Sequence, residues 1–455
     1  MTVEGNAKTE DLLVALLRTS ASVFIKRLSN NDRDWSRYHN KHQAGVYVPA
    51  PERDGGFFPA LTLKERDPAQ AAILETWIRV DWPQVGERDK RARLVNYRSK
   101  GEETHLTGLP KEAFASLAPA SFLVIGRSGS GDEPRFEALT IDATDDAAAI
   151  LTDALRLPVD FQALVRFPDE ERRSQQEQLL SFADLLLTAW RMGSLVSFAA
   201  EHAAMPDTYT LARMARQAYL DEHQLAMLDP FEIECPGDAV RHISRVVELE
   251  IFRGFQRKRI ATEIVQLITG NAASDTTGAI LARVVENVGE IDALMLSASQ
   301  QRRSRAGYSF EHHIEAMLLA GRVPFEKQVI IDAKKRPDFI LPSWKFLSEP
   351  GGDGQGFILS AKTTLRERWK QVQREMSEHA LFLATVDDSL AGNAIDDMAS
   401  MGITLVVPEI LTSASSTAAK AAEYRGHSNV ITFRQFFDTE IRDKRLRHWP
   451  PVEHH

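Results

Sequence analysis

Apolar positions along the chain change their rhythm several times, and the changes predict its architecture. The chain begins with a helical pattern at Leu12-Leu13-Val14-Ala15-Leu16-Leu17 and moves into the run Val23-Phe24-Ile25-Lys26-Arg27-Leu28. Polar, turn-forming sequence follows at Ser29-Asn30-Asn31-Asp32, then a short strand at 45–49. Further short strands are predicted at 76–81, 91–98, 121–126 and 134–141, separated by Gly, Asp and Pro. Many short strands between polar turns suggest a β-rich barrel or sandwich. A helix at 145–155 closes this region, and Pro158 and Pro168 flank the expected hinge.

Residues 170–270 read as almost wholly helical, with apolar residues at helical spacing in 179–187 and 246–252. A further helix is expected at 308–320. Beyond it the predicted order is strand 328–332, strand 338–341, strand 356–361, helix 366–380, strand 380–385, helix 392–400 and strand 404–407. That mixed order suits a central sheet covered by helices. The fold class is therefore multidomain, a β-rich N-terminal part and an α/β C-terminal part. The expected bounds are 1–158, a hinge and helical segment 159–240, and 241–455. No internal repeat appears.

Composition narrows the class of protein. The chain has 455 residues, enough for two domains or a little more. No apolar run reaches the about 18 residues that a membrane helix needs. The start, Met1-Thr2-Val3-Glu4-Gly5, has neither a basic nor an apolar leader segment, so a cytoplasmic location is expected. Cys235 is the single cysteine, which excludes an internal disulfide and a cysteine-based zinc site. Net charge is −9, which by itself gives no hint of nucleic acid. Charge is uneven, however: residues 301–375 hold 14 Lys and Arg against 9 Asp and Glu. A locally basic cleft on an acidic protein is one way to bind DNA and stay soluble, though an ordinary solvated surface looks the same.

The candidate chemistry lies in that basic stretch. Asp338 opens one apolar strand, Lys362 closes the next, and Glu375 follows at helical distance. Hydrolysis of a phosphodiester needs a divalent metal, an activated water and neutralisation of charge at the phosphate. Asp338 and Glu375 offer the carboxylate oxygens that Mg2+ prefers. Lys362 is placed to orient the water or stabilise developing charge. A surface aspartate and a strand-end lysine would read the same way. Arg366-Glu367-Arg368 follows within six residues of Lys362. Arginine pairs bidentately with guanine and glutamate accepts from cytosine, so this triplet can read G·C pairs. A charged helix face is the other reading. Glu311 and Glu315 lie one turn apart on the helix before the sheet, and spacing cannot say which of them reaches the metal from the other side. The Gly-rich stretch 126–131 lacks the ending of a phosphate-binding loop and reads as a turn. His312-His313 has no partner at metal spacing and reads as partly exposed helix.

With these motifs the chain resembles the EcoRII-type type II (IIE) restriction endonucleases. In the C-terminal half the resemblance rests on Arg302-Arg303-Ser304-Arg305-Ala306-Gly307 with Ser309, Glu311, His313 and Glu315, and on Lys335-Arg336-Pro337-Asp338-Phe339. It continues through Lys362-Thr363-Thr364, Arg366-Glu367-Arg368-Trp369, Glu375 and Gly402 with Leu405-Val406-Val407-Pro408. In the N-terminal half it rests on Ile25-Lys26-Arg27-Leu28-Ser29 with Asn31-Asp32, and on His42-Gln43, Gly45, Tyr47 and Pro49.

The resemblance implies a PD-(D/E)xK nuclease domain of α/β/α build, with Asp338, Lys362 and Glu375 catalytic and Glu311 an extra acid. Asp338 and Glu375 would hold Mg2+, and Arg366, Glu367 and Arg368 would read the outer pairs of a CCNGG or CCWGG-like site. It implies hydrolysis of double-stranded DNA to 5′-phosphates and 5′ overhangs by a homodimer, with a flipped central base pair. A cognate DNA methyltransferase is expected in the same system, without direct contact, and no membrane is involved. The N-terminal half would be an effector domain, a DNA-binding pseudobarrel that binds a second copy of the site and blocks the catalytic cleft while empty. Lys26, His42, Tyr47, Arg98 and Lys100 would be its DNA contacts. Here the chain departs from the pattern: the loop Tyr97-Arg98-Ser99-Lys100-Gly101-Glu102-Glu103-Thr104-His105 is short, has lost arginines and gained acids. A nuclease without sequence preference and a DNA-binding regulator with a vestigial nuclease half are the alternatives.

Overall fold

The computed structural model describes residues 8–37, 45–64, 72–98, 103–118, 120–129, 134–143, 145–158, 161–269, 276–327, 329, 336–349, 355–363, 365, 379–388, 390, 392–413 and 424–450. The chain divides into two compact units, 1–177 and 178–455, with the boundary inside the helix Pro168–Arg191.

The first unit is built on nine strands: β1 Ser22–Arg27, β2 Val46–Val48, β3 Thr62–Leu63, β4 Ile73–Trp82, β5 Glu87–Tyr97, β6 Thr104–Thr107, β7 Phe122–Ser128, β8 Arg135–Ile141 and β9 Ala163–Arg166. Their order is β2-β6-β5-β4-β8-β7-β1-β9, with β3 on β4. Among the described residues β4 and β8 run parallel, joined at Val80↔Phe136, and the other neighbours run antiparallel. The result is a nearly closed, barrel-like sheet.

Alternation of side chains explains the apolar runs at the centres of β1 and β7 and the buried positions of β8. Phe24, Leu123, Ile125, Phe136 and Ala138 point into one core with Trp82 and Phe114. Val23, Ile25, Phe122, Val124, Leu139 and Ile141 point into a second core. The helices Thr9–Thr19 and Asp146–Ala154 supply Leu13, Leu16, Leu17, Ala147 and Leu151 to that second core. Both faces are therefore covered along most of these strands, and the polar exceptions in β8 are Arg135, Glu137 and Thr140. Asp145 caps the second helix by accepting from the Ala147 N–H at 3.2 Å.

The Gly-rich stretch read as a turn is corrected here. Gly126, Arg127 and Ser128 belong to β7, and only Gly129 of the remainder lies among the described residues. Gly126 is needed because the Thr9–Thr19 helix crosses β7 closely. A Cβ at this position would fall 2.1 Å from Ser20 Oγ and 3.0 Å from the Leu16 side chain.

The second unit holds a six-stranded sheet in sequential order: β10 Glu326–Lys327, β11 Phe339–Leu341, β12 Phe357–Lys362, β13 Leu381–Thr385, β14 Ile403–Val407 and β15 Val430–Thr432. Strands β10, β11 and β12 pair antiparallel, and β12 to β15 pair parallel. Phe339, Leu341, Phe357, Leu359, Ala361, Phe382 and Ala384 pack on one face, against Phe310, Ile314 and Met317 of the helix Val288–Ala320. Ile340, Ile358, Leu381, Leu383, Ile403 and Leu405 pack on the other, against Ile395 and Met398 of the helix Gly392–Ser400. This is helix, sheet, helix, as the mixed order of elements implies.

The expected strand at 328–332 lies outside the described residues apart from Val329, and the described strand there is Glu326–Lys327. The expected helix 366–380 also lies outside them, save for its last two residues. The C-terminal residues Phe433, Phe436, Phe437, Ile441 and Trp449 join the first core face, a contribution the sequence reading did not anticipate.

Gly126→Ala is expected to destabilise the first unit by about 1–3 kcal/mol, because the buried Ser20 hydroxyl and the Leu16 side chain must shift to admit the methyl group. Chemical denaturation of the full chain, followed through the transition of this unit, checks it.

Candidate active site

Asp338 stands immediately before β11, behind Pro337, whose ring restricts the backbone there. Antiparallel pairing of Phe339 with Leu359 carries Asp338 to the carboxyl end of β12. Its Oδ2 accepts the Ala361 N–H at 2.8 Å and the Lys362 ammonium at 2.7 Å. Lys362 is the last residue of β12, paired with Thr385 at the end of β13. Glu311 comes from the helix Val288–Ala320, with Oε1 4.0 Å from Lys362 Nζ. Lys362 thus sits between two carboxylates and keeps 24% of its side chain exposed, enough for solvent and substrate to reach it.

The two acids, Glu311 and Glu315, have different neighbours. Glu315 turns to Lys327 on β10, with Oε2 2.6 Å from Nζ, and lies 3.5 Å from His312 Nδ1. Glu311 is the acid beside Lys362. Asp338 is a hard oxygen donor whose Oδ2 is fixed by the Ala361 N–H of β12, a donor type that suits Mg2+. Glu375, Arg366, Glu367 and Arg368 lie outside the described residues.

His313 departs from expectation. Its side chain is fully buried, and its Nε2 lies 2.7 Å from Glu248 Oε2, equally buried on the helix Glu248–Thr269. Arg216 of the helix Thr208–His223 donates to the His312 carbonyl at 3.1 Å and lies 3.5 Å from His313 Nδ1. Burial pulls the imidazole below its ordinary pKa, with Glu248 opposing. The pair fixes the rotation of the helix that presents Glu311. A helix with alternate polar faces hides this from the sequence, because the partner lies 65 residues away.

A buried acid pair follows β13. Asp387 and Asp388 are 3% and 4% exposed. Asp388 is held by Arg241 at 3.4 Å and Arg245 at 3.3 Å. The sequence signal for these acids was their place directly after an apolar strand, parallel to the one that ends in Lys362. Elsewhere in the unit, Cys235, Asp238 and Glu409 also approach one another. There the carboxylates are taken by backbone N–H groups: Glu409 accepts from Asp238 at 2.9 Å and Arg434 at 2.8 Å, and Asp238 accepts from Ile410 at 3.0 Å.

In the first unit Lys26 is enclosed rather than displayed. It is 2% exposed, 4.0 Å from Asp32 Oδ2 and 5.5 Å from the centre of the Tyr47 ring. Burial lowers its pKa, with Asp32 and Glu52 opposing. Asp32 also accepts the Tyr47 N–H at 2.8 Å, and the Tyr47 ring meets His105 edge-on at 5.9 Å. Arg98 is exposed just after β5. His42 and Lys100 lie outside the described residues.

Residues 272–436 match the family model described as EcoRII C terminal. The chain is 30% identical over 168 residues to the type II restriction enzyme EcoRII of Escherichia coli, covering 36% of this chain and 41% of that protein. It is 28% identical over 159 residues to the type II restriction enzyme SsoII of Shigella sonnei, covering 32% of this chain and 49% of that protein. The matches therefore span less than half the length of these curated relatives. The solved structure of metal-depleted Ecl18kI in complex with uncleaved DNA aligns over 59% of this chain and 88% of that one, at 21% identity and a TM-score of 0.42.

Removing one partner of a buried pair leaves the other charge or dipole unmet. His313→Leu alone is expected to cost about 3–5 kcal/mol, and the double variant Glu248→Leu/His313→Leu less than that. A double-mutant cycle by denaturation measures the coupling, and additive losses would dismiss it.

Proposed function

We propose that this chain, whose residues 272–436 belong to the EcoRII-type restriction endonuclease family, is a type II restriction endonuclease. It hydrolyses double-stranded DNA at a short CC/GG-containing site, CCNGG or CCWGG-like, and leaves 5′-phosphates on 5′ overhangs. The observation that carries this reading is the meeting of Asp338, Lys362 and Glu311 at the carboxyl end of β12.

Asp338 and Glu375 would hold a Mg2+ ion, which when bound would supply Lewis acidity and lower the pKa of a water. The Lys362 ammonium orients the attacking water and neutralises charge that develops on the phosphate. Its hydrogen bond to Asp338 holds the ammonium at the strand end before DNA arrives. Glu311 sets the local field from the helical side. Arg366 and Arg368 donate to guanine O6 and N7, and Glu367 accepts from cytosine N4. Their place a few residues after Lys362 couples reading to cutting. The enzyme works as a homodimer, one active site for each strand.

The first unit is the effector domain in this reading. It binds DNA through Tyr47, Arg98, His42 and Lys100, and restrains cleavage when empty. Lys26 acts there by holding Asp32 and the Tyr47 ring, and contacts DNA only if its side chain leaves that enclosure.

The test is digestion of unmethylated phage-sized DNA with Mg2+ and run-off sequencing of the ends. Discrete ends at CCNGG-like sites support the reading and identify the central base. A smear would replace it with a nuclease lacking sequence preference. Inert protein, even with short duplexes carrying candidate sites added, would replace it with a binding protein. Lys362→Ala and Asp338→Ala are expected to abolish cleavage while DNA binding persists in gel-shift titration. Arg368→Ala is expected to cost about 1–3 kcal/mol in binding at a G·C pair and little on random DNA.

A further inference from the structure

The outer face of the β4–β5 hairpin has no part in the function above. Ile78, Val80 and Trp82 of β4 face the core, as do Ala92 and Leu94 of β5. Side chains alternate along a strand, so Trp77 and Arg79 of β4 and Arg91 and Arg93 of β5 face outward. Antiparallel pairing sets Trp77 opposite Arg93 and Arg79 opposite Arg91. Arg79, Arg91 and Arg93 therefore surround one indole, which is 46% exposed. The guanidinium carbon of Arg91 lies 4.4 Å from the centre of the Trp77 ring, and that of Arg93 5.9 Å.

The acids of this face are engaged within it. Glu75 pairs with Arg93, and with Lys64 at 3.8 Å. Asp89 pairs with Arg79, and Asp81 accepts the Asp89 N–H at 2.7 Å. Arg91 and Arg88 are both exposed, and among the described residues neither side chain has an ion pair or a hydrogen bond. What orders Arg91 is the indole, and a guanidinium stacked on a ring keeps its in-plane donors for an anion. The edge expected to meet DNA is different. There Lys26 is enclosed. Burial, then Glu103 and Glu52, raise the pKa of the Tyr47 hydroxyl, so acids lie close to that edge.

We propose that the outer face of β4 and β5, centred on Arg91 stacked over Trp77, is a second DNA-contact surface of the first unit and holds the phosphate backbone of a duplex. The inference rests on the reading of the chain as an enzyme that acts on DNA. Charge complementarity decides the partner: the chain has a net charge of −9, yet this face has its acids already met and two arginines uncompensated, which suits a polyanion. Phosphate contacts position a protein on DNA and carry no sequence information. Trp77 acts through Arg91. It orders the guanidinium before DNA arrives, so less side-chain freedom is lost on contact.

The experiment titrates a duplex into the full chain without divalent metal, so that the DNA stays intact, at several salt concentrations. Wild type is compared with Arg91→Ala, Arg91→Lys and Trp77→Leu. Arg91→Ala is expected to reduce the slope of log affinity against log salt by about 1, and to weaken binding about five- to tenfold at about 0.1 M salt. Arg91→Lys and Trp77→Leu keep the charge and should keep the slope while losing part of the affinity. Arg91→Ala carries the test if Trp77→Leu does not fold. In wild type the duplex should protect Trp77 from hydroxyl-radical oxidation, read by mass spectrometry of its peptide. An unchanged slope for Arg91→Ala, or an unprotected Trp77, would overturn the inference. Protection of Trp77 by raised protein concentration without DNA would overturn it too, as the mark of a protein contact. Digestion of phage DNA by wild type tests the enzyme reading separately. Discrete ends with an unchanged Arg91→Ala slope remove this inference alone, and a wild type that neither cuts nor binds DNA removes both.

Discussion

Two donors from adjacent residues of β12, the Ala361 N–H and the Lys362 ammonium, converge on one oxygen, Asp338 Oδ2. That convergence joins backbone to chemistry. Ala361 is fully buried between core side chains, so its N–H cannot move without moving the sheet. The carboxylate is therefore fixed by the same pairing that fixes the strands, and the lysine takes its place from the carboxylate. A loop-borne lysine would have to be ordered anew on each binding event, at the entropy cost of a long side chain. Here folding has already ordered it.

Everything behind the sheet serves to bring a third group to that point. The helix Val288–Ala320 places Glu311 beside Lys362 only if its rotation is right, and a turn of the helix would present Glu315 instead. Phe310, Ile314 and Met317 set the apolar face, but apolar contacts are non-directional and tolerate small rotations. Hydrogen bonds do not. Glu315 to Lys327 on the sheet side and His313 to Glu248 on the helix side fix the rotation from two faces. Specification of rotation, more than stability, is the use of burying such a pair, since an apolar pair of equal volume would often be as stable.

How much of this was legible in the sequence follows from the range of the interactions involved. The strands β11 to β14 are short, fully apolar runs bounded by breakers, so local pattern alone locates them. Asp338 and Lys362 could be singled out because they sit at the ends of those runs, and pairing of β11 with β12 brings the two side chains together. Glu311 could not be told from Glu315, because that choice depends on the rotation of a helix against a sheet. His313 was misread for a related reason: its acceptor lies on another helix, far away in sequence. Gly126 was misread because Gly, Ser and Arg together resemble a turn, and only the closeness of the first helix explains the glycine. The aromatic residues after Phe433 escaped notice because charged neighbours interrupt them, although Phe436 and Trp449 pack directly on Phe357 of the active-site strand.

The buried and half-buried acids of the second unit form a consistent set when sorted by what they hold. Glu409 and Asp238 accept from backbone N–H groups at the starts of short helical turns, which is capping. Glu248 holds a side chain that sets a helix. Asp388 holds two arginines that set a loop. Asp338 and Asp387 differ from all of these, because each accepts from backbone within three residues of Lys362, one before it and one after. Desolvating a carboxylate costs several kcal/mol unless donors offset it. A fold that meets that cost on both sides of one lysine constrains the backbone that leads to it and the backbone that leaves it.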